Sequence, residues 1–271
     1  QPPKKGDLNG IREAAELIAS AKKPVFYTGG GVINAGPVAS KLLREFVSLT
    51  GYPITSTLMG LGAFPASDDQ WLGMLGMHGT YEANMVMHDC DVMINIGARF
   101  DDRITGRLDA FSPNSKKIHV DIDPSSINKT VHVDVPIVGD VAHVLEDMIR
   151  IWKETACSPD KKAIADWWQE IDSWRKVNSL GFEKSDTIIK PQYAVQRLYE
   201  LSKGKDVYIL RPKDSQGKPR IFRSNMSSPT GYLVAGEFNL QSEDIVFVGT
   251  AGVTSWSRFI NQVLPFTNFI N

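Results

Sequence analysis

The chain has 271 residues, 42% of them hydrophobic and 23% charged, which is typical of a globular protein with one large domain or two modest ones. Its 30 basic and 31 acidic side chains give a formal net charge of −1, which argues against a nucleic acid or an anionic membrane as partner. The two cysteines lack CxxC spacing, no apolar run is as long as a membrane span, and the sequence from Gln1 does not have the pattern of a signal peptide. We therefore predict a soluble protein, cytoplasmic or organellar, whose chain begins inside a longer one.

From residue 6 to residue 155, apolar strands alternate with amphipathic helices. Helices are predicted after the N-cap candidate Asp7, from Pro37 to just before Gly51, and after the N-cap candidate Asp140. Strands are predicted at residues 24–28, 53–57, 91–96, 117–121 and 135–138. This alternation predicts an α/β fold, a parallel sheet with helices on both faces, which binds ligands beyond the carboxyl ends of its strands.

Beyond residue 155 the composition changes. Residues 156–190 are rich in charged residues and tryptophan, and we interpret them as a helical linker that packs on a neighbouring domain. Residues 191–201 predict one amphipathic helix. After Gly204, turn-forming residues separate short β-type runs at 207–210 and 245–248. We therefore expect three parts: 6–155, 156–190 and 191–271.

Three glycines, Gly29, Gly30 and Gly31, lie between a predicted strand and a predicted helix. Without Cβ atoms, the backbone can approach a pyrophosphate, and the helix N-terminus offers unpaired N–H groups. The alternative is a tight turn that needs a positive φ. A Rossmann-type NAD site is disfavoured, because the sequence about 20 residues further on, 50–52, lacks the acidic residue that binds the ribose.

Charged and soft side chains follow the other predicted strands. Residues 97–103 contain two arginines and two aspartates, which indicate either a ligand site or a surface ion-pair network. Asp121 and Asp140 could bind a ribose or an adenine, although Asp140 is equally explained as an N-cap. Six of the eight methionines lie between 59 and 93, where they either line an aromatic ligand or fill the core.

Five segments together resemble the large catalytic subunit of the acetolactate synthase (acetohydroxyacid synthase) family of thiamine-diphosphate enzymes. They are residues 29–31, 56–65, 73–84, 97–103 and 121–130, within a match that is dense from about residue 10 to 155. The resemblance implies a central FAD-binding domain with a six-stranded parallel sheet. Residues 189–201 resemble the first helix of the family's thiamine-pyrophosphate domain. From about Val207 onwards the resemblance ends, so we expect a partial, divergent C-terminal segment.

The resemblance implies a role for each matched position. The FAD pyrophosphate would be held by Gly29, Gly30 and Gly31. The ribityl-flavin portion would be lined by Thr57, Leu58, Leu75, Gly76, Met77 and His78, and surrounded from the next strand by Gly97, Ala98, Arg99, Asp101 and Arg103. The adenosine would be contacted by Asp121, Ile122, Asp140 and Val141. Met77, Asp102 and Arg103 would lie at the mouth of the active site, where Arg103 binds the carboxylate of the incoming 2-keto acid.

The resemblance further implies the reaction and its partners. The complete enzyme would condense two pyruvates, or pyruvate with 2-ketobutyrate, with loss of CO2, in branched-chain amino-acid biosynthesis. It would use thiamine diphosphate, Mg²⁺ and a largely structural FAD, and it would form a homodimer or tetramer with a regulatory small subunit. The family's catalytic glutamate and Gly-Asp-Gly metal motif are not recognisable here, so we assign no metal ligand and expect this chain alone to be inactive. The alternatives are a flavoenzyme of the pyruvate oxidase or glyoxylate carboligase type, and a non-catalytic FAD- or nucleotide-binding module.

Overall fold

The fold is given by a computed structural model of the chain. It describes residues 5–185, 187–188, 190, 192–193, 196, 206–211, 220–225 and 245–248. These residues belong to two compact units, Gln1–Gly181 and Phe182–Asn271, and each unit has its own sheet.

The first unit is built on six parallel strands. They are β1 (Pro24–Thr28), β2 (Ile54–Ser56), β3 (Trp71–Met74), β4 (Val92–Ile96), β5 (Lys116–Asp121) and β6 (Val135–Val138). Their order across the sheet is β3-β2-β1-β4-β5-β6, and every neighbouring pair is parallel. The predicted α/β fold and the six-stranded parallel sheet are therefore confirmed. The strand order reverses between β1 and β4, the point beyond whose carboxyl ends open α/β sheets bind ligands.

Five of the six strands agree with the sequence-based strands to within one residue at either end, and β3 is the strand that the sequence analysis does not predict. It is short, it is the outermost strand on its side of the sheet, and its pairing with β2 is irregular between Ile54 and Ser56. It also contains Gly73, whose φ of 97° is far from strand values. A glycine inside a strand weakens the local signal, because it contributes no side chain to the apolar pattern.

The helices of the first unit are α1 (Leu8–Ser20), α2 (Gly30–Asn34), α3 (Pro37–Thr50), α4 (Tyr81–Asp89), α5 (Asp102–Thr105), α6 (Val141–Glu154) and α7 (Lys161–Arg175). Three of them, α1, α3 and α6, are the helices that the sequence predicts. The carboxylates of Asp7 and Asp140 accept hydrogen bonds from backbone amides in the first turns of α1 and α6, so both are N-caps as predicted. Gly51 ends α3 with a left-handed φ of 72°.

Each face of the sheet has its own core. Successive strand side chains point to opposite faces, so Phe26 packs on the side of α1, α3 and α6, whereas Val25 and Tyr27 pack on the side of α4 and α7. The same alternation in β4 separates Ile94 from Met93. Helices therefore cover both faces of the sheet, as predicted.

The segment interpreted as a linker contains α7, and α7 packs on the sheet of the first unit. The indole Nε1 of Trp167 donates to the carbonyl oxygen of Pro24 at 3.1 Å, and that of Trp168 donates to the carbonyl oxygen of Gly51 at 2.9 Å. Both acceptors belong to the domain that precedes the segment, so this is the neighbouring domain on which α7 packs. The domain boundaries at 155 and 190 stay predictions.

The second unit contains a three-stranded antiparallel sheet. Its strands are β7 (Asp206–Arg211), β8 (Arg220–Asn225) and β9 (Ile245–Val248), in the order β8-β7-β9. The strands predicted at 207–210 and 245–248 are confirmed. Most of the helix predicted at 191–201 lies outside the described residues. Over the described ranges, no helix is both long enough and apolar enough to span a membrane.

Candidate functional site

All the predicted site residues lie at one edge of the first unit's sheet. Because the six strands are parallel, their carboxyl ends share that edge. The residues at or directly after the ends of β1 to β6 are Gly29, Thr57, Leu75, Gly97, Asp121 and Gly139–Asp140. The fold thus brings together segments that are as far apart in sequence as Gly29 and Asp140.

The turns after β1 and β4 touch through their backbones, and we call residues 29–31 with 97–98 the glycine junction. The amide of Gly29 donates to the carbonyl oxygen of Ile96 at 3.1 Å, and that of Gly31 donates to the carbonyl oxygen of Gly97 at 3.0 Å. A Cβ atom on Gly29 would overlap the carbonyl oxygen of Gly97, and one on Gly31 would lie 2.7 Å from the Gly97 Cα. Both glycines are therefore required by the approach of two backbones.

This contact corrects the alternative interpretation of the three glycines, a turn that needs a positive φ. Gly29 has a φ of −126°, and within the junction the positive φ belongs to Gly97, at 66°. Gly30 differs from its neighbours, since a Cβ atom there would meet the side chain of Met59 at 3.2 Å and no backbone atom closer than 3.5 Å. Of the three, Gly30 is the glycine at which an added Cβ atom would not meet the backbone of the turn after β4, although its contact with the Met59 Cβ would be tight.

The turn after β3 is held differently, by a side chain, and we call residues 75–80 the amide-held turn. Asn84, on α4, accepts a hydrogen bond from the Gly76 amide at 2.8 Å and donates one to the Gly76 carbonyl oxygen at 3.0 Å. Gly76 itself has a φ of 96°. The next amide, that of Met77, donates to the carbonyl oxygen of Arg103 at 3.2 Å. The amide-held turn therefore lies directly against α5, which carries Arg103.

A second amide fork supports the loop that leads from β4 to α5. Asn95 is completely buried; its side chain donates to the Ala98 carbonyl oxygen at 2.7 Å and accepts from the Ala98 amide at 3.0 Å. The sequence analysis assigns no role to Asn84 or Asn95. A signal for Asn95 is present, because it is the single polar residue of an otherwise apolar strand, and buried polar groups in proteins are hydrogen-bonded.

The charged groups of the 97–103 segment are largely open to solvent. Arg99 pairs with Asp101 at 3.1 Å, and the Nε of Arg103 lies 3.9 Å from the Asp102 carboxylate. The side chain of Arg103 is 76% exposed. Exposed pairs of this kind contribute little stability, so the Arg103 guanidinium remains available to an anionic ligand.

Apolar side chains are also exposed along this edge. Leu58, Met59, Met77 and Ile122 are each more than half exposed, and they follow β2, β3 and β5. Exposed apolar side chains around polar backbone are typical of a surface that a ligand or another protein surface covers. Together with the cationic Arg99, these residues fit a ligand that is partly apolar and partly anionic.

Some predicted site residues have side chains that cannot face a ligand. Leu75 and Val141 are buried in the two cores, so they could contact a cofactor through their backbone only. Asp121 is nearly buried, and one of its oxygens accepts from the Asp123 amide at 2.9 Å. One oxygen of Asp140 accepts from the amides that it caps. His78 is exposed beside Met77.

Beneath the loop from β4 to α5 lie buried polar groups without hydrogen-bond partners among the described residues. They are the Tyr27 hydroxyl, the Thr105 hydroxyl and both ring nitrogens of His119. The ring of Phe100, which has a φ of 57°, packs at 5.6 Å from the Tyr27 ring and at 5.2 Å from the His119 ring. Burial lowers the pKa of His119, which outweighs the attraction of Asp121, so the imidazole is neutral at pH 7.

Among the described residues, no group of three or more His, Cys, Asp or Glu side chains could hold a metal ion.

Comparison with known proteins identifies relatives of the first unit. Residues 11–148 match the family described as thiamine pyrophosphate enzyme, central domain. The chain is similar to the acetolactate synthase isozyme 3 large subunit of Escherichia coli (strain K12), with 47% identity over 208 residues, which are 77% of this chain and 36% of the relative. It is 47% identical over 205 residues to an acetolactate synthase large subunit of Buchnera aphidicola, which covers 75% of this chain and 35% of the relative. It is 45% identical over 210 residues to an acetolactate synthase of Mycobacterium avium, which covers 77% of this chain and 33% of the relative. The chain thus spans about a third of the length of these curated relatives.

Proposed function

Because the chain belongs to the thiamine pyrophosphate enzyme family, whose central domain matches residues 11–148, we propose that it contributes that domain to an acetolactate synthase large subunit. The reaction is the condensation of two pyruvates, or of pyruvate with 2-ketobutyrate, with loss of CO2, which serves branched-chain amino-acid biosynthesis. The observation that carries the proposal is the 47% identity with the Escherichia coli large subunit. The arrangement of the matched segments along one sheet edge is consistent with it.

The cofactor held by this domain is FAD. Gly30 has no side chain, so the pyrophosphate can approach its backbone, while Leu58, Met59 and Met77 present apolar surface for the flavin. The predicted adenosine contacts, from the ends of β5 and β6, are Asp121, Ile122, Asp140 and Val141. FAD has a largely structural role, since the net reaction transfers no electrons. Thiamine diphosphate, held through Mg²⁺, supplies the carbanion chemistry when it is bound.

Arg103 binds the carboxylate of the acceptor 2-keto acid. A guanidinium can form two parallel charge-assisted hydrogen bonds with a carboxylate, a geometry that lysine cannot reproduce. The side chain is 76% exposed, and among the described residues its ion pair is a long one, 3.9 Å from Nε to the Asp102 carboxylate. Its role is therefore to bind and orient the second keto acid, and not to act on the first.

The assembly follows the relatives' description as large subunits. A homodimer or tetramer with a regulatory small subunit is part of the proposal. A cytoplasmic location in bacteria, or an organellar one in eukaryotes, stays a prediction.

The test is to replace Arg103 by alanine in the protein that carries this chain. Contacts to charged groups are typically worth about 1.5–3 kcal/mol, or about 10- to 150-fold, and we expect acetolactate formation to fall by that factor relative to pyruvate consumption. Arg107→Ala is the matched control, because Arg107 is an exposed arginine of the neighbouring segment that pairs with Asp109. An unchanged product ratio with depleted flavin would remove Arg103 from the substrate site.

The cofactor part is tested on the flavin alone. Gly30→Val places a branched side chain on the outer side of the turn, so we expect the purified protein to retain much less FAD. A folded Gly30→Val protein with the wild-type flavin content would contradict the assignment. The product itself separates the alternatives, because a pyruvate oxidase makes no acetolactate and a non-catalytic module consumes no pyruvate.

A further inference from the structure

The half-buried side chain of Asn84 forms two hydrogen bonds with the backbone of a single residue, Gly76. Its oxygen accepts from the Gly76 amide at 2.8 Å, and its nitrogen donates to the Gly76 carbonyl oxygen at 3.0 Å. Asn84 belongs to α4, whose first turn is capped by Thr80 and whose inner face buries Ala83 and Val86. The fork therefore ties the amide-held turn to a helix that is itself packed in the core.

Gly76 and its neighbour Met77 in turn contact the backbone of Arg103. A Cβ atom on Gly76 would lie 2.7 Å from the Arg103 carbonyl oxygen, and the neighbouring Met77 amide donates to that same oxygen at 3.2 Å. The backbone of Arg103 thus rests on the residue that Asn84 holds and on the residue after it.

The side chain of Arg103 forms few contacts that could hold the residue in position. It is largely exposed, and its guanidinium lies 3.9 Å from the Asp102 carboxylate. The position of its backbone consequently decides where the guanidinium can reach. Misplacement of a binding group by about 1 Å can cost as much as about 100-fold in rate.

We propose that Asn84 is a positioning residue for Arg103, acting through Gly76 and Met77. The proposal rests on the proposed role of Arg103 as the group that binds the acceptor carboxylate. Asn84 itself touches neither substrate nor cofactor. Its function is to hold α5 at the distance from β3 at which the guanidinium meets the second keto acid.

The first test is structural and needs no catalysis. In Asn84→Leu, amide hydrogen exchange should become at least about 10-fold faster at Gly76 and Met77, because the fork that holds the turn is lost. Exchange at Ala98, which Asn95 holds, should not change. The matched control is Asn128→Gly, which removes another asparagine-to-backbone bond, from the Val133 amide at 2.8 Å, at a φ of 56° that glycine tolerates.

The second test is the partition of product in the complete protein. With FAD at saturating concentration, Asn84→Leu should raise the KM for the acceptor keto acid and lower acetolactate formation relative to pyruvate consumption, by about 5-fold or more. Asn84→Asp keeps the acceptor for the Gly76 amide but not the donor to its carbonyl oxygen, so an intermediate effect is expected. The same fall in partition should be absent when Asn84→Leu is added to Arg103→Ala, because coupled residues are not additive.

The outcomes separate the two levels of the proposal. If Arg103→Ala leaves the partition unchanged, the proposed role of Arg103 is wrong and the inference falls with it. If Arg103→Ala changes the partition but Asn84→Leu and Asn84→Asp do not, the inference alone is wrong. Wild-type exchange at Met77 in folded Asn84→Leu also contradicts it.

Discussion

The glycine junction and the amide-held turn lie at the same edge of one sheet, and in both of them two loops approach closely. In the junction the approach is made by removing side chains, since Gly29 and Gly31 leave space for the backbone of Gly97. In the amide-held turn the approach is made by adding one, since Asn84 holds Gly76 against Arg103. A glycine-rich motif at a strand end therefore does not by itself indicate a ligand.

The difference has consequences for mutation. At Gly29 and Gly31 the junction has no space for an added atom. The amide-held turn depends instead on one half-buried polar side chain, that of Asn84, whose hydrogen bonds water can partly replace. Within the junction, Gly30 is the exception, because an added Cβ atom there would press on Met59 and not on the backbone of Gly97 or Ala98. We therefore expect substitutions at Gly29 and Gly31 to lower stability, and a substitution at Gly30 to affect mainly ligand binding.

The largest effect is expected inside the junction, from Gly29→Ala compared with Gly30→Ala. At Gly29 the new methyl group overlaps a backbone oxygen, so the free energy of unfolding should fall by about 3 kcal/mol, the upper end of what overpacking costs. At Gly30 it meets the Met59 Cβ atom at 3.2 Å, so a small shift of that loop suffices and a smaller loss of about 1 kcal/mol is expected. Urea unfolding measures both; similar losses would mean that the junction is not closely packed.

The next effect compares the two amide forks. Asn95→Ala leaves the buried amide and carbonyl of Ala98 without partners, and should lower the free energy of unfolding by about 3 kcal/mol. Asn84→Ala should cost only about 1 kcal/mol, because Asn84 is half-buried and alanine is the better helix former. The comparison uses equilibrium denaturation of both variants. Equal losses would contradict the distinction between a buried fork and an accessible one.

The pH dependence of stability tests the support beneath the loop from β4 to α5. Since burial lowers the pKa of His119 in the folded state, the unfolded chain, with an ordinary histidine pKa of about 6.5, takes up the proton first. The imidazole therefore reduces stability as the pH falls below 6.5, by at most about 1.4 kcal/mol per pH unit. His119→Phe keeps a ring against Phe100 and should be at least as stable as wild type at pH 7.

The measurement is the unfolding midpoint of both proteins at pH 8, 7 and 5.5. We expect the wild type to lose more stability than His119→Phe between pH 7 and pH 5.5. The carboxylates whose pKa is lowered in the fold, such as Asp134 beside Lys116, lose their contribution only at lower pH. Parallel profiles for the two proteins would show that His119 is not the titrating group.

The smallest effect is expected from Asp102→Asn. The carboxylate is exposed and 3.9 Å from the Arg103 Nε, and asparagine keeps an acceptor for the Arg103 amide, which Asp102 accepts from at 3.0 Å. The free energy of unfolding should change by less than about 0.5 kcal/mol. The product partition should stay within about twofold of the wild type, unlike that of Arg103→Ala. A defect as large as that of Arg103→Ala would mean that Asp102 holds the guanidinium.

Much of the fold follows from local signals in the chain. The apolar runs at 24–28 and 91–96 locate β1 and β4, and Asp7, Gly51 and Asp140 mark helix ends at the residues where the helices begin or stop. These signals succeed because side-chain periodicity and capping involve residues within one turn or one strand of each other. The interpretation of Asp140 as an N-cap is confirmed on this basis, while its contact with adenosine stays a prediction.

The matched segments and the candidate edge were readable from the amino-acid order, and so was the place of each segment after a parallel strand, except for residues 73–84, which follow the unpredicted β3. What could not be read there is how the turns at that edge are held. The need for Gly29 and Gly31 comes from Gly97, about 67 residues away, and the place of Arg103 comes from the contact of its carbonyl oxygen with Met77. Such contacts depend on which strands lie side by side and at what distance. That arrangement is set by packing of the whole unit, because no interaction within a single segment specifies it.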